Sequence, residues 1–229
     1  MRNEKSFHSF AASMSTEIDN KERILLQATE LFKRYGVRSV SMDDIAGQLG
    51  MSKKTIYQYY ADKDELVSAV VAAEIQVNET CCIRDSSYAD NAVHEIFLAM
   101  DMVVELFRAM NPSLLFDLQK YHPQAFQKFL AHKNDFVYRK IYDNLLRGIK
   151  EELYRDDINS TLLAQYRVES MMLIFNPAFQ STVKLNLAEI DEEITLHFLY
   201  GVVNAKGYKL ILKYKQERTK KHQHDAKVK

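Results

Sequence analysis

The stretch SMDDIAGQLGMSKKTIYQYYADK, from Ser41 to Lys63, constrains this chain more than any other feature. Ser41 stands three residues before Asp44, the spacing of a capping box with aspartate where glutamate is usual. Asp43 and Asp44 put negative charge into a first helical turn, where the helix dipole favours it. Ile45, Ala46 and Leu49 make a short apolar face, and Gly50 follows where a left-handed residue ends a helix. Ser52 caps a second helix that opens at Lys53, and Asp62 with Glu65 repeats the capping-box spacing. These signals predict two short helices joined by a tight turn, with another helix directly after.

Successive helical residues rotate by about 100°. In the second helix this places Ile56 and Tyr60 inward and Lys54, Thr55 and Gln58 outward, with Tyr57 and Tyr59 flanking the outer face. A lysine, a hydroxyl and an amide between two tyrosines suit a DNA groove: lysine reaches guanine acceptors, glutamine pairs with adenine, and tyrosine hydroxyls bind phosphate. Lys63 is expected to hold the DNA backbone at one edge and Ser41 at the other. The candidate DNA-contacting set is Ser41, Ser52, Lys53, Lys54, Thr55, Tyr57, Gln58, Tyr59 and Lys63.

The same residues carry a family resemblance. Gly36-Val37, Ser41-Met42-Asp43-Asp44-Ile45-Ala46, Leu49-Gly50-Met51-Ser52, Thr55-Ile56-Tyr57 and Tyr60-Ala61-Asp62-Lys63-Asp64-Glu65-Leu66 closely resemble the TetR family of transcriptional regulators, over about the first 80 residues. Many members have a small residue where Lys54 stands and histidine where Gln58 or Tyr59 stands, so the scaffold transfers better than any base contact. The resemblance implies an all-α chain: an N-terminal three-helix DNA-binding domain with a helix-turn-helix, then a helical bundle that binds a ligand and dimerises. It implies a homodimeric, ligand-responsive repressor on a palindromic double-stranded operator.

Composition agrees with an all-helical chain. Of 229 residues, 47% are hydrophobic, enough for a sizeable core, and six glycines with three prolines leave few turns. Lysine plus arginine and aspartate plus glutamate both total 31, which argues against indiscriminate coating of nucleic acid. Locally, Lys33, Arg34, Arg38, Lys53, Lys54 and Lys63 outnumber Asp43, Asp44 and Asp62, which sit at helix starts. No apolar run of about 18 residues is evident and the N-terminus lacks a signal core, so no membrane partner and a cytoplasmic location are expected. Adjacent Cys81 and Cys82 make neither a disulfide framework nor a zinc pattern, although a thiol-sensing role stays open.

Along the chain, four regions are expected: a polar arm over 1–18, the DNA-binding domain over 19–80, the ligand and dimerisation domain over 81–215, and a disordered basic tail over 216–229. Ile24, Leu25, Ala28, Leu31 and Phe32 mark a first helix from Asn20 to Tyr35. After the helix-turn-helix, Leu66, Val67, Val70, Val71 and Ile75 mark a fourth, broken over Cys81 to Asp90. Helices are then expected at Asn91 to Met110, at Gln124 to Tyr154, near 160–182 and at Asp191 to Tyr214, with breaks at Pro112 and His122-Pro123. The Lys213 to Lys229 tail has seven basic and two acidic residues and no apolar period.

Aromatic and methionine density places a pocket for a small apolar or aromatic effector around Met100, Phe107, Phe116, Tyr121, Phe126 and Tyr166. A dimer contact is expected at Phe198, Gly201, Val202, Ala205, Tyr208 and Leu212, where Gly201 and Ala205 lie four apart and let helices approach. No catalytic residue, metal or cofactor is expected: Glu193 and His197 lack a companion pair for a di-iron bundle, and no phosphate loop or nucleophile elbow occurs. A helical sensor or adaptor whose main partner is another protein remains the alternative.

Overall fold

The computed structural model describes residues 20–108 and 110–228. Its elements are α1 (20–35), α2 (Met42–Leu49), α3 (Lys53–Tyr59), α4 (Lys63–Tyr88), α5 (Ala92–Arg108), α6 (Leu114–Tyr121), α7 (Pro123–His132), α8 (Tyr138–Lys150), α9 (Ser160–Ser170), α10 (Pro177–Thr182), α11 (Leu187–Val202) and α12 (Ala205–Val228). Among the described residues, the sole β pairing is an isolated antiparallel bridge between Tyr154 and Val203.

The chain divides into two compact units. The first takes the N-terminal helices through Ile75 and also Met110–Phe129. Its core joins Ile24, Ala28 and Phe32 of α1 to Ile45, Ile56, Leu66 and Val67, all nearly without solvent exposure. α6 docks on the end of α1: the Asn111 amide donates to the Lys33 carbonyl at 2.6 Å. A boundary at residue 80 therefore misses α6, which returns from later in the chain to the N-terminal unit.

The second unit holds Gln76–Ala109 and Leu130–Lys229. α5 packs on α11, and α8 on α9. Leu145, Phe97, Met100, Ala164, Leu199 and Ile211 lie in one apolar core. After α8 the chain turns back on itself; Glu152 has φ 54, and the Tyr154 ring lies directly against Gly148. Tyr154 Oη donates to Asn144 Oδ1 at 2.9 Å, and Asn144 Nδ2 donates to the Ala92 carbonyl at 3.0 Å. Burial pushes the Tyr154 hydroxyl far above its ordinary range, so it stays a donor.

Several element boundaries differ from expectation, each for a physical reason. The expected break after Cys81 is absent: no glycine or proline interrupts α4 there, and Thr80 and Ser87 return their hydroxyls to the Gln76 and Arg84 carbonyls. The helix expected at Gln124 to Tyr154 is interrupted by a π-helical turn at Lys133–Val137 and ends at Lys150. The helix expected near 160–182 stops at Ser170; Pro177 then opens α10, capped by Asn176. The helix expected at Asp191 to Tyr214 is two helices. Val203 leaves helical geometry to pair with Tyr154, the Asn204 amide donates to the Leu153 carbonyl, and the Asn204 side chain caps α12. The tail expected to be disordered from 216 continues α12 to Val228, since lysine, glutamine and arginine propagate a helix already nucleated by packing.

α4 is also long and apolar enough to cross a membrane by length and composition, with a window of mean hydropathy 1.4, against the expectation from its sequence. Within the protein its carboxylates have partners: Glu74 pairs with Lys33 at 2.7 Å and Glu79 with His132 at 3.2 Å.

Candidate nucleic-acid interface

The helix-turn-helix is fixed by its caps. The Asp44 amide donates to Ser41 Oγ at 3.1 Å and the Ser41 amide to Asp44 Oδ2 at 2.8 Å, closing the capping box. Hydrogen bonds from Ser41 hold the Asp44 carboxyl below the usual carboxylate range. Gly50 adopts φ 64, a conformation L side chains rarely take, and its amide closes the end of α2. The Thr55 amide donates to Ser52 Oγ at 3.1 Å, starting α3.

These caps set the rotation of α3. Ile56 and Tyr60 are buried. Ser52, Lys53, Lys54, Tyr57 and Gln58 are exposed, while Thr55 and Tyr59 are half-buried. Among the described residues Lys54 has no carboxylate within ion-pair distance, so its ammonium is free for a partner in the groove. Lys53 is engaged otherwise: it forms an exposed ion pair with Asp43 of α2 at 2.9 Å. Thr55 Oγ1 lies 2.8 Å from Ser52 Oγ.

Lys63 departs most from expectation. Its ammonium donates to the Val37 carbonyl at 2.7 Å and lies 6.0 Å from the Phe32 ring centroid. Burial pulls its pKa below the ordinary lysine value. It therefore closes the turn between α1 and α2 rather than standing free for phosphate.

The six expected effector contacts do not come together. A cavity of about 150 Å³ lies in the second unit, and it takes Met100 from that set. Phe107 meets the Phe175 ring edge-on outside the cavity lining. Phe116, Tyr121 and Phe126 belong to the first unit: Phe116 is exposed, Tyr121 carries the Arg38 guanidinium, and Phe126 packs on Phe129. Tyr166 is half-exposed beside Phe198. Aromatic density does not say which face of a helix looks inward. The polar lining comes from Asn78, Asp85 and Ser86 of α4, Glu95 of α5, Lys140 and Asn144 of α8, Arg167 of α9 and Asp191 and Thr195 of α11, and has no local sequence signal. Cys82 also lines the cavity, with burial pushing its thiol up to about 11, which opposes a reactive thiol sensor.

The expected dimer residues divide likewise. Phe198 and Val202 are buried in the chain's own core. Gly201, Ala205, Tyr208 and Leu212 are exposed, joined by Leu162 and Tyr166 of α9. Gly201 and Ala205 stand on different helices, so they form no small-residue stripe.

Comparison with known proteins adds independent findings. Residues 24–70 match the family model "Bacterial regulatory proteins, tetR family". The HTH-type transcriptional regulator YvaF of Bacillus subtilis (strain 168) is 30% identical over 185 residues, covering 79% of this chain and 94% of YvaF. A TetR-family transcriptional regulator from Agrobacterium tumefaciens superposes with a TM-score of 0.68 at 18% identity, over 82% of this chain and all of that one. A transcriptional regulator from Saccharomonospora viridis, solved in complex with choline, superposes with a TM-score of 0.62 at 16% identity, over 81% and 98% of the two chains.

Proposed function

This chain belongs to the tetR family of bacterial regulatory proteins and is a DNA-binding transcriptional regulator; we propose that it acts as a cytoplasmic repressor, gripping a palindromic operator as a homodimer and releasing it when a small effector fills the cavity of its second unit. The observation that carries the DNA half of this reading is α3: a capped, packed helix presenting Lys54, unpaired among the described residues, beside exposed Gln58 and Tyr57. Lys54 and Gln58 read base edges, while Tyr57 and Ser41 set the register on the backbone.

The effector half rests on the cavity. Its volume is close to that of a cavity that holds one benzene ring, so a compact ligand fits better than an extended one. The choline complex of the Saccharomonospora viridis regulator supports a small-molecule effector in this fold. Release of DNA requires that the effector bind the DNA-free state more tightly than the DNA-bound state; equal affinity for both shifts nothing. The work proposed here is binding, with no catalytic step.

Selection of fragments from a genomic DNA pool, followed by gel shift on the recovered sequences, tests the reading. Recovery of a two-fold symmetric site supports it. Recovery of no site above random DNA would sink it and leave a helical adaptor for another protein.

A further inference from the structure

The second-unit cavity has a charge arrangement that selects among ligands. Three carboxylates line it, and each already has a cation. Asp85 pairs with Arg84 at 2.8 Å, Glu95 with Arg147 at 3.1 Å, and buried Asp191 with buried Arg167 at 3.5 Å. Glu95 also accepts from Asn144 Nδ2 at 3.0 Å.

Lys140 is the exception. It lines the same cavity, is half-buried, and among the described residues has no carboxylate within ion-pair distance. Its ammonium instead lies 5.9 Å from the centroid of the Phe136 ring, also a lining residue. A half-desolvated ammonium on an aromatic face gains far less than one beside a carboxylate. The apolar part of the lining includes Ile96, Met100, Val103 and Ile141.

We propose that this cavity binds a compact apolar monocarboxylate, an aromatic or short aliphatic acid of about the size of benzoate, with its carboxylate on Lys140 and its apolar body against Phe136, Met100 and Val103. The ligand supplies the one counter-charge the cavity wall lacks. A cationic ligand meets the opposite situation, because every lining carboxylate is already neutralised and the free charge it approaches is positive. The size follows from the volume of about 150 Å³. This inference rests on reading the cavity as the effector site.

The test is isothermal titration of the full-length protein with benzoate, phenylacetate and hexanoate, each against its neutral amide, and with choline. At least one acid is expected to bind about tenfold more tightly than its amide, the scale of one charge-assisted hydrogen bond. Lys140→Gln removes that advantage and leaves the amide's affinity unchanged; Lys140→Arg keeps it. Circular dichroism confirms that both variants are folded. If no acid exceeds its amide, if Lys140→Gln leaves the ratio intact, or if choline binds better than every acid, the assignment is overturned. A parallel gel shift separates the two readings. Acids that bind without releasing DNA leave the site standing and remove its effector role. A different compound that releases DNA while no acid exceeds its amide keeps an effector and overturns the acid site.

Discussion

Asp117 Oδ2 accepts the backbone N–H of Arg38 at 3.0 Å, fastening α6 to the turn that leads into the helix-turn-helix. The turn is built for this approach. Gly36 has φ +81, and a Cβ there would come within 3.1 Å of Asp117 Oδ2 and Ser113 Oγ. Asp117 is itself buried. Asp117→Ala leaves the Arg38 amide without its acceptor and should lower stability by about 1–3 kcal/mol, the cost of an orphaned donor. Asp117→Asn keeps an acceptor and should lose less. Urea unfolding measures both, and equal losses would show that the hydrogen bond is not what holds α6 here.

The orientation of α3 makes a prediction about base reading. Lys54→Ala and Gln58→Ala should each cost about 1–3 kcal/mol on the selected operator and relax preference at one position per half-site. Lys63→Ala should behave otherwise, because its ammonium holds the Val37 carbonyl. It is expected to cost about 1 kcal/mol of folding stability through that bond. Competition gel shifts with single-base operator variants, run beside thermal melts, distinguish these effects. An unchanged operator preference for Lys54→Ala refutes the orientation.

What the sequence revealed was local. The Ser41–Asp44 box, the left-handed Gly50, the Ser52 cap and the inward pair Ile56 and Tyr60 are set by residues within a few positions of one another, and all stand as expected. What it concealed was long-range. Asn204 offers a local cap next to Val203, but the bridge that draws Val203 out of the helix comes from Tyr154, 49 positions earlier. Asp117 reads as one polar residue in a short amphipathic helix until the fold carries it to Arg38. Lys140, Arg167 and Asp191 meet only because α8, α9 and α11 pack around one cavity.

Gly148 tests the packing of the second unit. A Cβ at this position would lie 2.1 Å from Tyr154 Cδ2, and the Tyr154 ring is fixed by its bond to Asn144 and by the Val203 bridge. Alanine is the better helix former, which alone would favour Gly148→Ala. Overpacking should win, for a net loss of about 1–3 kcal/mol. Denaturant unfolding decides the sign; a stabilised variant would mean that the ring moves aside at little cost.

The proposed dimer rests on the small size of the reader and on exposed apolar side chains of the second unit. In the proposed reading α3 offers about three base-reading side chains, few for a genomic search, which favours two copies on a twofold axis. On the second unit, Leu162, Tyr166, Tyr208 and Leu212 are between 42% and 63% exposed. Tyr208 packs its ring 5.8 Å from that of Tyr200. In the proposed dimer these exposed side chains of α9 and α12 meet their mates. Because a Cβ on Gly201 meets nothing within 4 Å, Gly201→Arg should fold normally and test whether the end of α11 belongs to the contact. Tyr208→Glu with Leu212→Glu should give a folded monomer with weakened operator binding. Light scattering provides the reading. A wild-type mass near one chain, 26.7 kDa, at micromolar concentration refutes the dimer. A dimer that survives the Tyr208 and Leu212 pair places the contact on another face.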